Sequence, residues 1–332
     1  MIRERILIQL MKLRGRLSPG VGLLLLSALW ALDWLVPDLF PHFGTEGVSL
    51  PVGQAILFFG FTGVSAAIAV VRGLEFPRGL RAWASAGVGV GLFVIPTWAA
   101  AFARGRISDF DGVAIFCLTP VFAVVLEPYL QNGPPHRGNG ALAGCFVAIA
   151  GVFCIFPLET PGSFRAAAAL GALLVAAVGA AAANCIAVRI ASREAGRSVC
   201  SMAAQAAAAS ALGFGLMAVF VPRATWSTTA LEVFLPRLFL VDVPGLVLLF
   251  WLMTRMAASR MTARFLLAPL LASVAGLALE RMLPPVRGAL GLLLLAAGSG
   301  WLVFAPAESE GDGRISLRVV PAAPPARPMT QD

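Results

Sequence analysis

Apolar residues fall along this chain in ten runs of roughly membrane-crossing length, and the charges gather mainly between them. The runs cover residues 20–38, 52–71, 82–102, 110–130, 140–157, 166–188, 199–221, 238–255, 264–281 and 287–305. A helix that crosses a bilayer needs about 20 mostly apolar residues, each rising about 1.5 Å. Each run is therefore predicted to be a spanning helix. The run at 140–157 is short, and Asp242 and Pro244 interrupt the one at 238–255. Ten is the preferred count, and nine stays open.

The pattern also repeats. Ile115 to Phe156 carries a lone proline in an apolar run (Pro120), then Pro134-Pro135, then Arg137-Gly138, then a second apolar run. Phe265 to Phe304 presents the same order with Pro269, Pro284-Pro285 and Arg287-Gly288. The chain divides accordingly into a basic N-terminus (1–18), a first five-helix repeat (19–157), a second (158–305) and a tail (306–332). Five is odd, so the second half must enter the membrane from the opposite face. The predicted fold class is an all-α integral membrane protein of about ten transmembrane helices in two inverted five-helix repeats. That arrangement puts a pseudo-two-fold axis in the membrane plane and a transport site near the midplane.

Composition agrees with the pattern. Charged residues make up 13% of the chain, about half the usual quarter. The net charge of +8 does not point to nucleic acid, because the basic residues mark the ends of apolar runs instead of forming a patch. With the N-terminus inside, eighteen of the 25 Lys and Arg residues, Arg264 among them, fall on the cytoplasmic side. Both termini are thus expected in the cytoplasm and the protein in the cytoplasmic (inner) membrane. The basic start ahead of Val21–Leu32 resembles a secretory leader. No small-x-small cleavage site follows it, so it reads as an uncleaved first span. The tail is rich in Pro, Ala and charge and is expected to be disordered.

The chemistry on offer is narrow. There is no GxSxG, HExxH or P-loop, so no enzyme is expected. The five cysteines lack CxxC or Cys/His spacing, which predicts no metal and no cofactor and leaves them as small buried hydrophobes. His42, His136 and Lys12 lie outside the runs. Proton chemistry in the bilayer would fall to carboxylates: Asp33, Glu127, Asp242 and Glu280. Asp33 stands two-thirds along the first run, between Trp30 and Trp34 nearby. A charge at a helix centre costs about 2.5–3.5 kcal/mol on insertion scales and is functional by default. Its alternative is a pair with an arginine near the outer interface. Glu127 follows Pro120 by two turns, on roughly the same face, and reads either as a coupling group or as a solvated helix-end carboxylate. Asp242 is favoured as structural, with Arg237 as its partner, and Glu280-Arg281 as an exposed or capping end.

The repeat offset places Asn184 opposite Trp34, one position from Asp33, which fits a shared site or an interhelical hydrogen bond. Trp98 and Trp251 are candidates for a cavity wall, and Trp251 would suit a cationic or planar ligand; interfacial tryptophan is the commoner role. Pro120 and Pro269 remove backbone donors inside spans, which favours hinges or cavity-lining kinks over plain packing. Gly87, Gly89 and Gly91 read as a close helix approach in lipid, with Gly87 and Gly91 as the small-xxx-small pair.

At these positions the chain resembles the EamA-like branch of the drug/metabolite transporter superfamily. The resemblance rests on LTPVFAVVLEPYL (Leu118–Leu130) with GALAGCFVAIAGVF (Gly140–Phe153), and again on APLLASVAGLALER (Ala268–Arg281) with GALGLLLLAAGSGWLV (Gly288–Val303). SALWALDWL (Ser27–Leu35) looks like the family's first helix. The resemblance implies export or exchange of a small metabolite by alternating access through a central cavity. Departures are Gln131-Asn132-Gly133 in place of a terminal Gly-Glu, Ala31 after Trp30, and Asp33 where a neutral residue is usual.

The expected partners are a small organic solute, lipid, protons through Asp33 or Glu127, and a second copy in a homodimer. The substrate wall would comprise Trp30, Asp33, Trp98, Asn184 and Trp251. The rival class is a membrane accessory or lipid-head-group protein with no transport cycle. Asp33→Asn should abolish coupled transport and leave expression intact. Flux into proteoliposomes at several pH values measures this, and unchanged pH-dependent flux removes Asp33 from the coupling role.

Overall fold

The structure, a computed structural model, describes residues 18–39, 49–131, 139–193, 199–220 and 234–304. The basic N-terminus, His42, His136, the first double-proline loop and the tail lie outside the described residues. What is described is mostly helix joined by short turns and irregular segments, with one isolated bridge between Arg104 and Ile107 and, among the described residues, no strand. The rods are α1 (Pro19–Leu39), α2 (Leu50–Val71), α3 (Leu80–Ala103), α4 (Asp109–Leu130) and α5 (Asn139–Ile155). They continue as α6 (Phe164–Arg193), α7 (Val199–Val219), α8 (Phe234–Leu252), α9 (Ala258–Glu280) and α10 (Val286–Phe304). Eight are long and apolar enough to cross a membrane, and the apolar stretches Pro19–Leu32 and Gly140–Ile155 are shorter. This is a multi-pass helical membrane protein.

Size is distributed the wrong way round for water. Large apolar side chains such as Phe59 (76% exposed) and Val64 (61%) point outward, where only hydrocarbon can cover them. Small residues line the inward faces of α6 and α7, where Ala176, Ala177, Ala180, Ala181, Ala206 and Ala207 are all buried, beside large core side chains such as Phe58, Phe214 and Leu249. Lipid tails are as apolar as leucine, so helices gain by approaching closely, which small side chains permit. Several buried and half-buried hydroxyls are turned back on their own helices. Ser27, Thr62, Thr97 and Ser210 each donate to the carbonyl four residues earlier, at 2.7–2.9 Å.

A close backbone approach joins α5 and α10, which run antiparallel. A Cβ added to Gly151 would stand 2.6 Å from the Gly291 carbonyl oxygen, and one added to Gly291 would stand 2.8 Å from that of Gly151. The other end repeats this: Gly298 against the Gly144 oxygen at 2.5 Å, and Gly144 against the Gly298 oxygen at 3.2 Å. Gly144 and Gly151 are related to Gly291 and Gly298 by the same step of 147 residues. Each helix therefore offers its partner the surface it receives, which is how an isologous contact is built.

The remaining neighbours follow the same rule. α2 packs on α7 and α4 on α9; α4 meets α6 as α9 meets α1, and α3 meets α6 as α8 meets α1. α3 meets α7, and its counterpart brings Phe61 of α2 and Phe250 of α8 into a stack at 5.8 Å. Most of these pairings have a counterpart five helices along, whereas the contacts of α6 with α9 and of α7 with α8 are not matched to the same extent by α1 with α4 and α2 with α3.

Two irregularities are matched as well. α3 widens into a π-helical turn at Val90–Val94 before Pro96, and α8 does so at Leu238–Asp242 before Pro244. The turns begin 148 residues apart. A proline inside a helix lacks a donor and crowds the preceding turn, and a wider turn absorbs that crowding. The interruption at Asp242 and Pro244 is thus a bend within one rod. Of the GVGVG glycines, Gly89 and Gly91 carry the close packing: a Cβ on Gly89 would run into the Ala206 backbone, and one on Gly91 would lie 2.9 Å from the Ala183 Cβ. Gly87 has nothing within 4 Å, so the Gly87/Gly91 pairing is corrected. At the end of α9, Arg281 adopts a left-handed φ of 53° and Met282 N–H donates to Leu277 O at 3.2 Å. That is the capping role expected of Glu280-Arg281.

Gly151→Ala and Gly291→Ala should each destabilise the protein by about 1–3 kcal/mol through overpacking against backbone. Gly60→Ala, where nothing lies within 4 Å, should be close to neutral. Unfolding in mixed detergent measures all three, and equal stability across them would remove the glycine contact as a structural determinant.

Candidate functional site

The largest fully buried side chain is charged. Arg264 is 1% exposed, at the point where α9 changes from one helical segment to the next. α9 begins as a single turn, Ala258–Met261, bends at Thr262-Ala263, and resumes as Arg264–Glu280. At the bend Phe265 N–H donates to Thr262 O, three residues back, at 3.0 Å. In an unbroken helix it would serve Met261 O. Arg264 takes its place: Nη1 donates to Met261 O at 3.0 Å. Nη2 donates to Asn184 Oδ1 on α6 at 2.9 Å. The Asn184 amide is itself oriented by its Nδ2, which donates to Ala180 O at 2.7 Å.

Two aromatic rings flank the guanidinium. Its central carbon lies 5.0 Å from the centre of the Trp30 ring and 4.8 Å from that of Phe265. The rings meet edge to face at 5.6 Å. Ring faces attract a cation, more strongly where water is excluded. Both hydrogen-bond acceptors are neutral, and Nε has no partner. Among the described residues no carboxylate is paired with Arg264.

The two interrupted helices meet beside this group. Pro269 has no N–H, so Phe265 O loses its partner four residues ahead. The thiol of Cys117 donates to that oxygen at 3.2 Å. Cys117 lies in the break of α4, between Asp109–Phe116 and Thr119–Gln131, where Pro120 interrupts the ladder. A side chain released by one break thus answers the carbonyl stranded by the other. Glu127, further along α4, accepts from Ala258 N–H through Oε1 and Ser259 N–H through Oε2, both at 3.1 Å. Its carboxylate caps the first turn of α9, where negative charge is favoured.

Of the residues predicted from sequence, Trp30 and Asn184 are brought together, with Arg264 between them. Trp98 is 43% exposed on the flank of α3. Trp251 packs at the crossing of α8 and α1, where a Cβ on Gly22 would lie 2.7 Å from its ring, and Arg255 sits 5.8 Å over its face. Pro120 and Pro269 are joined through Cys117 and Phe265. Asp33 lies in α1 one turn beyond Trp30; its side chain is outside the described residues. Arg264, expected among the cytoplasmic loop charges, is instead buried, and this corrects the charge count. One signal was available: the repeat offset of 149 sets Arg264 opposite Ile115, a charge where its mate is apolar. Among the described residues no group of three or more metal-ligating side chains converges. A cleft of about 260 Å³ opens elsewhere, at the start of α4, beside Asp111 and Glu159.

Cys117→Val should cost about 1–3 kcal/mol, the penalty for an unpaired buried carbonyl, and Cys117→Ser, which keeps a donor, should cost less. Equilibrium unfolding of the detergent-solubilised variants gives both values. Equal losses would remove the thiol–carbonyl bond from the account.

No protein-family model matches this chain, and no curated protein does. The fold has a solved counterpart: a crystal structure of a protein described no further superposes with a TM-score of 0.66, covering 87% of this chain and 99% of its own, at 17% identity. The likeness shows a shared helical fold.

Proposed function

We propose that this protein is a secondary transporter that moves a small organic solute across the cytoplasmic membrane by alternating access. The observation that carries this reading is the pairing scheme, in which most helix contacts recur between the helices five places along. Two structurally equivalent halves around a shared axis can rock against each other, exposing one site first to one side and then to the other. The matched π turns of α3 and α8 supply bends at equivalent places. The breaks of α4 and α9 put irregular backbone where both halves meet, and such backbone inside a membrane belongs where protein or a cavity can satisfy it. On this reading the chain is a ten-helix inverted repeat of the drug/metabolite transporter kind, with both termini in the cytoplasm.

Two carboxylates would couple the cycle to protons. Glu127 ties α4 of one half to the start of α9 of the other. When protonated it keeps less acceptor capacity for the two backbone N–H groups, and the tie weakens. Asp33, one turn from Trp30, is the second. The expected result in proteoliposomes is saturable uptake of a labelled metabolite, above protein-free vesicles and driven by a pH gradient. Folded protein that gives no saturable flux with any of a broad set of amino acids, organic acids, amines and nucleosides would overturn the reading.

A further inference from the structure

We infer that Arg264 is the recognition group for an anion, the carboxylate or phosphate of the transported solute. This rests on the transport reading and narrows its substrate to a chemical class.

A guanidinium carries five N–H donors in a rigid fork and does not shed its charge. Arg264 spends two bonds on neutral acceptors, Met261 O and Asn184 Oδ1, and its Nε has none. A charge removed from water needs a counter-charge to offset its desolvation. The rings of Trp30 and Phe265 offset part of it. A structural arginine would be expected to have a carboxylate at hand, and the described residues give it none. The missing partner is what a ligand could bring: Nε and the neighbouring Nη present the edge that matches a carboxylate or phosphate in two parallel bonds.

Position adds a second argument. Arg264 touches Trp30 on α1, Asn184 on α6 and its own α9, so both halves of the chain build its surroundings. It also begins the longer segment of α9, at the bend. The guanidinium has no path to solvent in this conformation. An anion would reach it only when α1 or α9 shifts, and that shift is the movement alternating access demands. Trp30, partly exposed, is the side chain to be displaced.

The test uses the purified full chain in detergent, with thermal denaturation as the readout. Succinate or inorganic phosphate should raise the melting temperature, and succinamide, with the same skeleton and no charge, should not. Arg264→Gln should weaken anion protection by about tenfold or more, the loss expected for a charged hydrogen bond, and Arg264→Lys should retain part of it. Should Arg264→Gln not fold, the wild-type contrast between succinate and succinamide decides. Protection by phosphatidylglycerol and not phosphatidylcholine, with none from soluble anions, assigns the same anion site to a lipid head group.

Equal protection by succinate and succinamide, or protection by none of these probes, overturns the inference. So does recovery of the Arg264→Gln melting temperature by a second change, Asp33→Asn, since the counter-charge would then lie within the chain. Flux separates this failure from failure of the transport reading. Saturable flux of a neutral solute that Arg264→Gln leaves unchanged removes the anion site alone. Charge-selective protection without flux of any solute removes transport alone.

Discussion

Hydrocarbon offers no hydrogen-bond partner, so a carbonyl stranded inside a membrane must be answered from within the protein. Much of this structure follows from that constraint. Prolines in the spans strand carbonyls, and the chain answers them in different ways. Before Pro96 and Pro244 the helix widens into a π turn. For Pro269 the reply comes from another helix, as Cys117 reaches Phe265 O. At the bend of α9 it comes from the same helix, as Arg264 folds back on Met261 O. The last solution is costly, since it places a charge among neutral groups, and it draws Asn184 and Trp30 around that charge.

Packing answers a second constraint. Without a hydrophobic drive between helices, contact depends on how near backbones can come. Glycine at 144, 151, 291 and 298 lets α5 and α10 touch main chain to main chain, and alanine fills the faces of α6 and α7. Many large side chains face outward, where they meet lipid. Several interior hydroxyls are bonded within their own helix, while Cys117, Glu127 and Arg264 reach across to other segments or helices. Of these, only Arg264 carries a full charge at 1% exposure with neutral partners, and that is where function is sought.

Much of the fold was legible in the letters. The ten apolar runs fall within a few residues of the observed helices, except that α9 begins at Ala258, nearly two turns earlier than its run. Length and hydropathy set those limits, and neither needs tertiary information. The repeat was visible through Pro120 and Pro269. What it brings together was not, because whether a stranded carbonyl meets a thiol depends on which helices become neighbours. Asn184 was reached by symmetry and Trp30 by its place beside Asp33. Arg264 was lost to a rule that reads arginine at the end of an apolar run as a loop charge, and the rule cannot see that the helix continues for another turn. Gly89 was passed over for Gly87 because spacing alone does not say which face of a helix meets its neighbour.

The glycine contact between α5 and α10 has a further consequence. Gly144 and Gly151 present the spacing that Gly291 and Gly298 present in return, so either helix is shaped to fit an antiparallel duplicate of itself. Such self-complementarity is what a half-length ancestor would need to assemble as a pair of identical chains, one upright and one upside down. Fusion of two such chains would leave the seam intact and free each side to change. Arg264, facing Ile115 across the offset, is a place where the two sides no longer match.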